Sequence, residues 1–442
     1  MSPETLSILM FIGLLACVIW GHPLAFTLGG LAVIFGYLGW GPGALHMLAN
    51  KTYGLMTNYV LVAIPLFIFM AQLLDKTGIA EELFESLYIV LGGVRGGLAL
   101  STIIVATVFA ATTGIVGASV VAMGLLAGPS MLKKGYNKEL VAGVITAGGT
   151  LGILIPPSIM LVVYAGVIGK SVGELFLGAF MPGFLLSGLY LIYTYIVCRV
   201  NPSYGPPIPV EERTHTVAQK ITMVFKSALP ALSLIFAVLG TIAFGIATPT
   251  EAAGLGCAGA MILAILHKRL TLKSLYDAGI AALRTTTMVM VLFVGANAFA
   301  AVFMAMGGGD IFTNFLMSIS TNKWVILAIM NIILIILGMF VDWLGILLIC
   351  VPIFTPIAVD QLGFDALWLA ILFCVNLQAS FLTPPFGYAL FYLKGINLPG
   401  METKNIYKGI VPFVCLQILG VIICVLFPEI ITWLPKMVLG KD

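Results

Sequence analysis

The residues with the most chemical content are two Pro-Pro pairs, Pro156-Pro157 in GTLGILIPPSIMLVVYAG and Pro384-Pro385 in ASFLTPPFGYALFYLKG, each inside a long apolar stretch. A proline removes a backbone hydrogen bond and clashes with the preceding turn, so a consecutive pair predicts a broken helix. Inside a bilayer the carbonyls freed by the break persist only where protein or a water-filled cavity satisfies them. Such carbonyls, with nearby hydroxyls, suit a hard cation such as sodium, while half-helix N-termini suit a carboxylate. Thr112 and Thr113 in ATTGIVGAS (111–119), and Ser380 and Thr383 beside the second pair, supply hydroxyls. Gly114, Pro156 and Pro384 join Thr112 as candidate substrate-site positions. The competing reading is a pair of ordinary kinks with Ser and Thr bonded back to the helix.

Asp342, in GMFVDWLG (338–345), is the clearest acid placed within an apolar segment. Two readings are open: a functional carboxylate in the substrate site, or a carboxylate satisfied by backbone donors in a turn. Asn297, Asn331, Asn376 and Gln378 read as hydrogen-bonding glue between helices. The seven cysteines are scattered singly without C-x-x-C spacing, which predicts neither a disulfide framework nor a transition-metal site.

The elements that must position these residues are membrane helices. With 61% hydrophobic and 9% charged residues and a mean hydropathy of +1.13, the chain is too apolar for a soluble domain. No dense Lys/Arg run suggests nucleic acid. Residues 5–20 lack a basic segment ahead of them and read as a first membrane helix, not a signal peptide.

The chain matches itself at an offset of about 226 to 230 residues. Pro23 falls opposite Pro249, Pro129 opposite Pro356, Gly135 opposite Gly363, and Pro182 opposite Pro412. This predicts a first repeat over 1–198, a polar cytoplasmic linker over 199–220 and a second repeat over 221–442. The charges reverse between the halves: Lys133, Lys134 and Lys138 match Asp360 and Asp365, and His46 and Lys51 match the richer His267, Lys268, Arg269 and Lys273. The neutral segment around Lys170 and Glu174 matches Lys394, Lys404 and Lys408 against Glu402. Because Lys and Arg concentrate on the cytoplasmic side, these reversals predict inverted-topology repeats. Interrupted apolar segments at matching positions of two such halves point to the midplane binding site of a secondary transporter.

Threading these constraints places both termini in the periplasm and predicts an all-α polytopic fold. Helices are expected at 5–21, 24–43 and 52–74, then a surface arm at 78–93, a re-entrant hairpin at 97–131, a broken helix from 138 to Lys170 and a helix at 175–198. The second half should hold helices at 221–247 and 251–266, an arm near 270–282 and a helix at 283–306. A hairpin at 324–359, a broken helix at 366–394 and a last helix at 409–432 complete it.

The sequence resembles the large membrane subunit of the tripartite ATP-independent periplasmic (TRAP) transporters over essentially its whole length. The motifs that carry the resemblance are IPLFIFMAQLL (64–74) followed by GIAEELF, GTLGILIPPSIMLVVY, GIATPTEAAGLG (245–256), GMFVDWLGILLICVPIFTPI (338–357) and SFLTPPFGY (380–388). The resemblance implies import of an organic acid, driven by a sodium gradient, across a bacterial inner membrane. It also implies a periplasmic substrate-binding protein, a small four-helix membrane subunit, no cofactor beyond sodium as coupling ion, and a transport domain that moves elevator-fashion against a scaffold. By motif, one sodium site would use the first hairpin tip at Thr113 with the backbone of Gly152, Ile155 and Pro157. The other would use Gly338, Ser380, Thr383 and Phe386. The chain departs from the family where Thr113-Gly114-Ile115 replaces a common Ser-Gly-Ser tip and where Ser380 replaces a common Gly. Carbonyl ligands survive those changes, while side-chain coordination at the first site stays open. The extra helices of fused members are missing, so a separate small subunit is expected.

Two rivals are weighed against this reading. An intramembrane aspartyl protease would use Tyr276-Asp277, Gly307-Gly308-Gly309-Asp310 and Pro230-Ala231-Leu232, but the order is wrong and the duplication goes unexplained. A channel could also contain hairpins and broken helices, and sodium-coupled, saturable flux separates the two cases.

Overall fold

A computed structural model describes residues 2–209, 215–385 and 387–440, without the side chains of Thr112 and Thr113. The described residues form helices and connecting turns, with no strand among them. In the first half these are α1 (Pro3–Ile19), α2 (Leu24–Trp40), α3 (Gly43–Met56), α4 (Ala63–Asp75), α5 (Ile79–Leu91), α6 (Gly97–Thr113), α7 (Val116–Lys133), α8 (Lys138–Thr150), α9 (Ile159–Ile168) and α10 (Val172–Val200). The second half continues with α11 (Val217–Ala243), α12 (Pro249–Leu266), α13 (Leu272–Ala305), α14 (Gly308–Ile319), α15 (Lys323–Gly338), α16 (Trp343–Thr355), α17 (Ala366–Leu382), α18 (Tyr388–Ile396), α19 (Thr403–Leu426) and α20 (Glu429–Leu439). Among the described residues seven helices are long and apolar enough to cross a membrane, and up to nine if each bent pair is one span.

The helices fall into two packed sets. In one, α8 and α17 are buried on nearly every side, as expected of helices that are apolar all round. They are enclosed by the hairpins α6–α7 and α15–α16 and by α10 and α19. In the other, α2 and α4 pack on α13, α4 on α12, and α11 on α12 and α5. Small residues let the backbones approach: a Cβ on Gly143 of α8 would overlap the Gly409 carbonyl of α19, and one on Gly409 would overlap the Glu139 carbonyl.

Several backbone features recur 228 or 229 residues apart. Asn137 and Asp365 cap α8 and α17, their side chains accepting from the N–H of Leu140 and Trp368. Gly135 and Gly363 both have left-handed backbones, at φ 79° and 71°. The 156–157 and 384–385 peptide bonds are both cis. Gly78 and Gly307, at φ 75° and 79°, each start a short amphipathic helix, α5 and α14.

The last pair corrects the expected second arm at 270–282. That stretch continues into α13, because nothing between Leu272 and Ala305 breaks a helix: there is no proline, and Gly279 and Gly295 are tolerated inside one. The expected helix at 52–74 is instead two pieces, α3 and residues Tyr59–Asp75, bent by 54°. Asn58 causes the break by accepting from the Val60 N–H, a local bond that competes with the helix. Helix α5 does not lie free at a surface, since Leu83, Phe84 and Leu87 are buried where it packs on α6 and α11. The linker is partly docked: Gly96 N–H bonds the Gly205 carbonyl at 2.8 Å, Ile208 N–H the Gly92 carbonyl at 2.7 Å, and Asn137 N–H the Tyr204 carbonyl at 3.0 Å.

Candidate functional site: two hairpin tips and two helix breaks

The first break follows Thr150. A short 3-10 turn (Leu151–Ile153) leads into the Pro-Pro pair, and Ser158 restarts the helix by accepting from the Leu161 N–H at 3.4 Å. The Leu151 carbonyl accepts from the N–H groups of Leu154 and Ile155, both at 3.0 Å, and the Ile153 carbonyl accepts from the Ser158 hydroxyl. Among the described residues, no backbone N–H bonds the carbonyls of Gly152, Ile155 or Pro157, and all three residues are buried. Two prolines remove the donors that would have served these acceptors. The tip of the first hairpin closes over this break: a Cβ on Gly114 would stand 3.4 Å from the Ile159 nitrogen. Gly114 ends α6 with a left-handed backbone at φ 60°. The Thr112 and Thr113 side chains lie outside the description, so the tip is defined here by its backbone.

At the second break α17 ends at Leu382 and Thr383 is extended. The Ser380 hydroxyl donates to the Leu377 carbonyl at 2.7 Å and the Thr383 hydroxyl to the Ala379 carbonyl at 2.5 Å. Each hydroxyl thus commits its proton to the helix and keeps oxygen lone pairs for another partner. The second tip lies against this break so closely that a Cβ on Gly338 would overlap the Ser380 side chain. Phe386 lies outside the described residues. The two breaks differ in exposure: Pro156 and Pro157 are buried, whereas Pro384 and Pro385 are exposed.

Asp342 stands at the N-cap position of α16 but closes no cap hydrogen bond, and its Oδ1 is buried without a partner. It lines a cavity of about 770 Å³ together with His22, Thr287 and Tyr388. The backbone N–H groups of Trp343 and Leu344 interact with this carboxylate, so the turn satisfies it in part and leaves Oδ1 for another partner. Asn376 does bridge helices, donating from Nδ2 to the Asn331 carbonyl at 2.9 Å, as does Asn297 to the Lys51 carbonyl at 3.4 Å. Gln378 does not: it is fully buried in α17, and neither amide atom has a partner. An amide in an apolar helix normally pairs, so this departs from the expected role as inter-helix glue. A further buried polar group, missed in the sequence, joins α8 to α19 through Gln417 Nε2 and Thr150 Oγ1 at 3.4 Å. Spacing alone gives no sign of it, since the two are 267 residues apart.

Paired hairpin tips and broken helices in a multi-span helical protein are the architecture of a membrane transport protein. The family model for the DctM component of the tripartite ATP-independent periplasmic transporters matches residues 11–430. The chain belongs to that family, whose members are transporters and not enzymes. It is 32% identical to the C4-dicarboxylate TRAP transporter large permease protein DctM of Vibrio cholerae serotype O1, covering 98% of each chain. It is also 32% identical to the isethionate TRAP transporter permease protein DctMQ of Oleidesulfovibrio alaskensis, covering 93% of this chain and 63% of that one. Among solved structures, the Alcanivorax borkumensis YdaH transporter shares the fold at a TM-score of 0.63 with 16% identity, over 94% of this chain and 98% of that one.

Proposed function

We propose that the protein imports a small organic acid across a bacterial inner membrane by sodium symport, moving its hairpin-bearing helices elevator-fashion against a scaffold. The observation that carries the sodium part is the first break, where three buried carbonyls receive no backbone donor. Carbonyl oxygens without N–H partners are costly in an apolar interior, and a hard monovalent cation offsets that cost. Ser380 and Thr383 with the backbone at Gly338 form the second sodium site, with Phe386 contributing from the same stretch. Asp342, the Gly114 tip, Pro156, Pro384 and Thr112 face the cargo.

The proposal extends to partners and topology. A small membrane subunit accompanies the protein and a periplasmic binding protein delivers the cargo, a reading supported by membership of the tripartite family. Residues 1–198 and 221–442 are inverted repeats joined by a cytoplasmic linker, and both termini are periplasmic. The carboxylate class rests on the C4-dicarboxylate name of the Vibrio relative. Reconstitution with the small subunit and binding protein tests the whole reading: uptake of a dicarboxylate should require inward sodium and the binding protein together. Equal uptake in potassium, or by the large subunit alone, would overturn it.

A further inference from the structure

Helix α13 passes two cavities in succession. Its residues 287–292 wall the Asp342 cavity, and residues 293–300 wall a second one of about 870 Å³, formed with α3, Asn58, the end of α9 and the middle of α16. At 1.5 Å of rise per residue the two are roughly 10 Å apart along the helix. Their chemistry is opposite. The first contains the carboxylate of Asp342, while the second is lined by Lys51 with Asn50, Asn58 and Asn297 and by no Asp or Glu. Asn58 Oδ1 is held by the Val60 N–H and Asn297 Nδ2 by the Lys51 carbonyl, so both amide groups are fixed at the wall. Among the described residues Lys51 has no carboxylate within ion-pair distance. The rest of the wall is apolar, including Phe293 and Leu348. A single unpaired cation in a cleft with low-dielectric walls focuses its field on whatever anion enters.

We propose that this second cavity is a receiving site for a free carboxylate, which Lys51 holds before the cargo reaches the hairpin tips. The site rests on the organic-acid reading above. A lipid phosphate offers Lys51 similar chemistry, so the experiment must separate the two sources.

Gly54 also lines the cavity, and a side chain added there meets no atom within 4 Å, so Gly54→Cys is a reporter with room. The full chain carrying it is placed in phosphatidylcholine nanodiscs. Modification by an anionic and a cationic methanethiosulfonate reagent is read by mass spectrometry at that position, apart from the native cysteines. Replacing Lys51 by Gln should lower the anionic-to-cationic rate ratio by about 25-fold, because one unit charge about 4 Å away in water changes each rate about fivefold and in opposite directions. Lys51→Arg should restore it. Millimolar succinate should slow modification when Lys51 is present and not in Lys51→Gln. An unchanged ratio, a changed ratio without succinate protection, or no labelling by either reagent would each overturn the proposal. Protection by added phosphatidylglycerol in place of succinate would overturn it too, assigning the lysine to a headgroup. Sodium-driven uptake by the same variants, reconstituted in proteoliposomes with the small subunit and the binding protein, separates the two readings. Protection without uptake leaves the receiving site and removes the transport mechanism; uptake without protection does the reverse.

Discussion

Thr383 and Gly338 make the second break testable one side chain at a time. The Thr383 hydroxyl spends its proton on the Ala379 carbonyl, so what it can offer a cation is lone-pair density. Valine keeps the shape and removes that oxygen, leaving the ion one protein ligand short. Thr383→Val should raise the sodium concentration for half-maximal uptake about tenfold, the equivalent of one lost ligand interaction. Wild-type sodium activation in proteoliposomes would leave the break contributing carbonyls alone. Gly338→Ala introduces a methyl group into Ser380 and should cost about 1–3 kcal/mol, the usual range for overpacking. Thermal unfolding of the detergent-solubilised protein measures this, and Ser380→Gly in the same chain should recover most of the loss. Failure of that rescue would mean the two residues do not meet.

Helix against helix, α8 and α19 cross where Gly143 and Gly409 each leave no space for a side chain. Without water to drive helices together, close backbone approach is what holds such a crossing. Gly143→Val should therefore lower the unfolding temperature more than an equivalent change at Gly188, beside which nothing lies within 4 Å. Equal shifts at the two positions would show that the α8–α19 crossing contributes little. The same crossing sits about two helix turns from the polar contact of Thr150 with Gln417, so it also fixes the approach to the first break.

For the molecule as a whole, helix caps, left-handed glycines and Pro-Pro peptide geometry recur at 228 residues, as two copies of one unit would. The proposed inversion requires Lys133 and Asp360 to lie on opposite sides of the membrane. Cysteines placed at these positions should differ in access to an impermeant maleimide in right-side-out vesicles, Asp360→Cys reacting and Lys133→Cys not. Labelling of both from one side would remove the inverted topology. It would leave the family assignment untouched, because that rests on similarity over residues 11–430.

Much of this protein was legible in its sequence because its strongest local signals are covalent. Proline removes donors wherever it falls, so the breaks at 156–157 and 384–385 and the flanking limbs could be placed, and the all-helical membrane class followed from composition. Left-handed glycines and Asx caps act locally too, but glycine and asparagine are common enough that type alone does not mark Gly307 as the start of α14 or Asn58 as the break ahead of α4. Polar residues within apolar runs were read by their average behaviour. What only the tertiary structure decided is which groups meet and which are left unpaired. Gln378 has the same composition-level signal as Asn376, but one is buried without a partner and the other bonds the Asn331 carbonyl across helices. The two breaks look alike in sequence, yet the first is sealed beneath a hairpin and the second is exposed, because burial depends on helices hundreds of residues away. Chain-local chemistry sets where a helix can stop; only the packing of distant helices sets what its freed carbonyls and carboxylates then face.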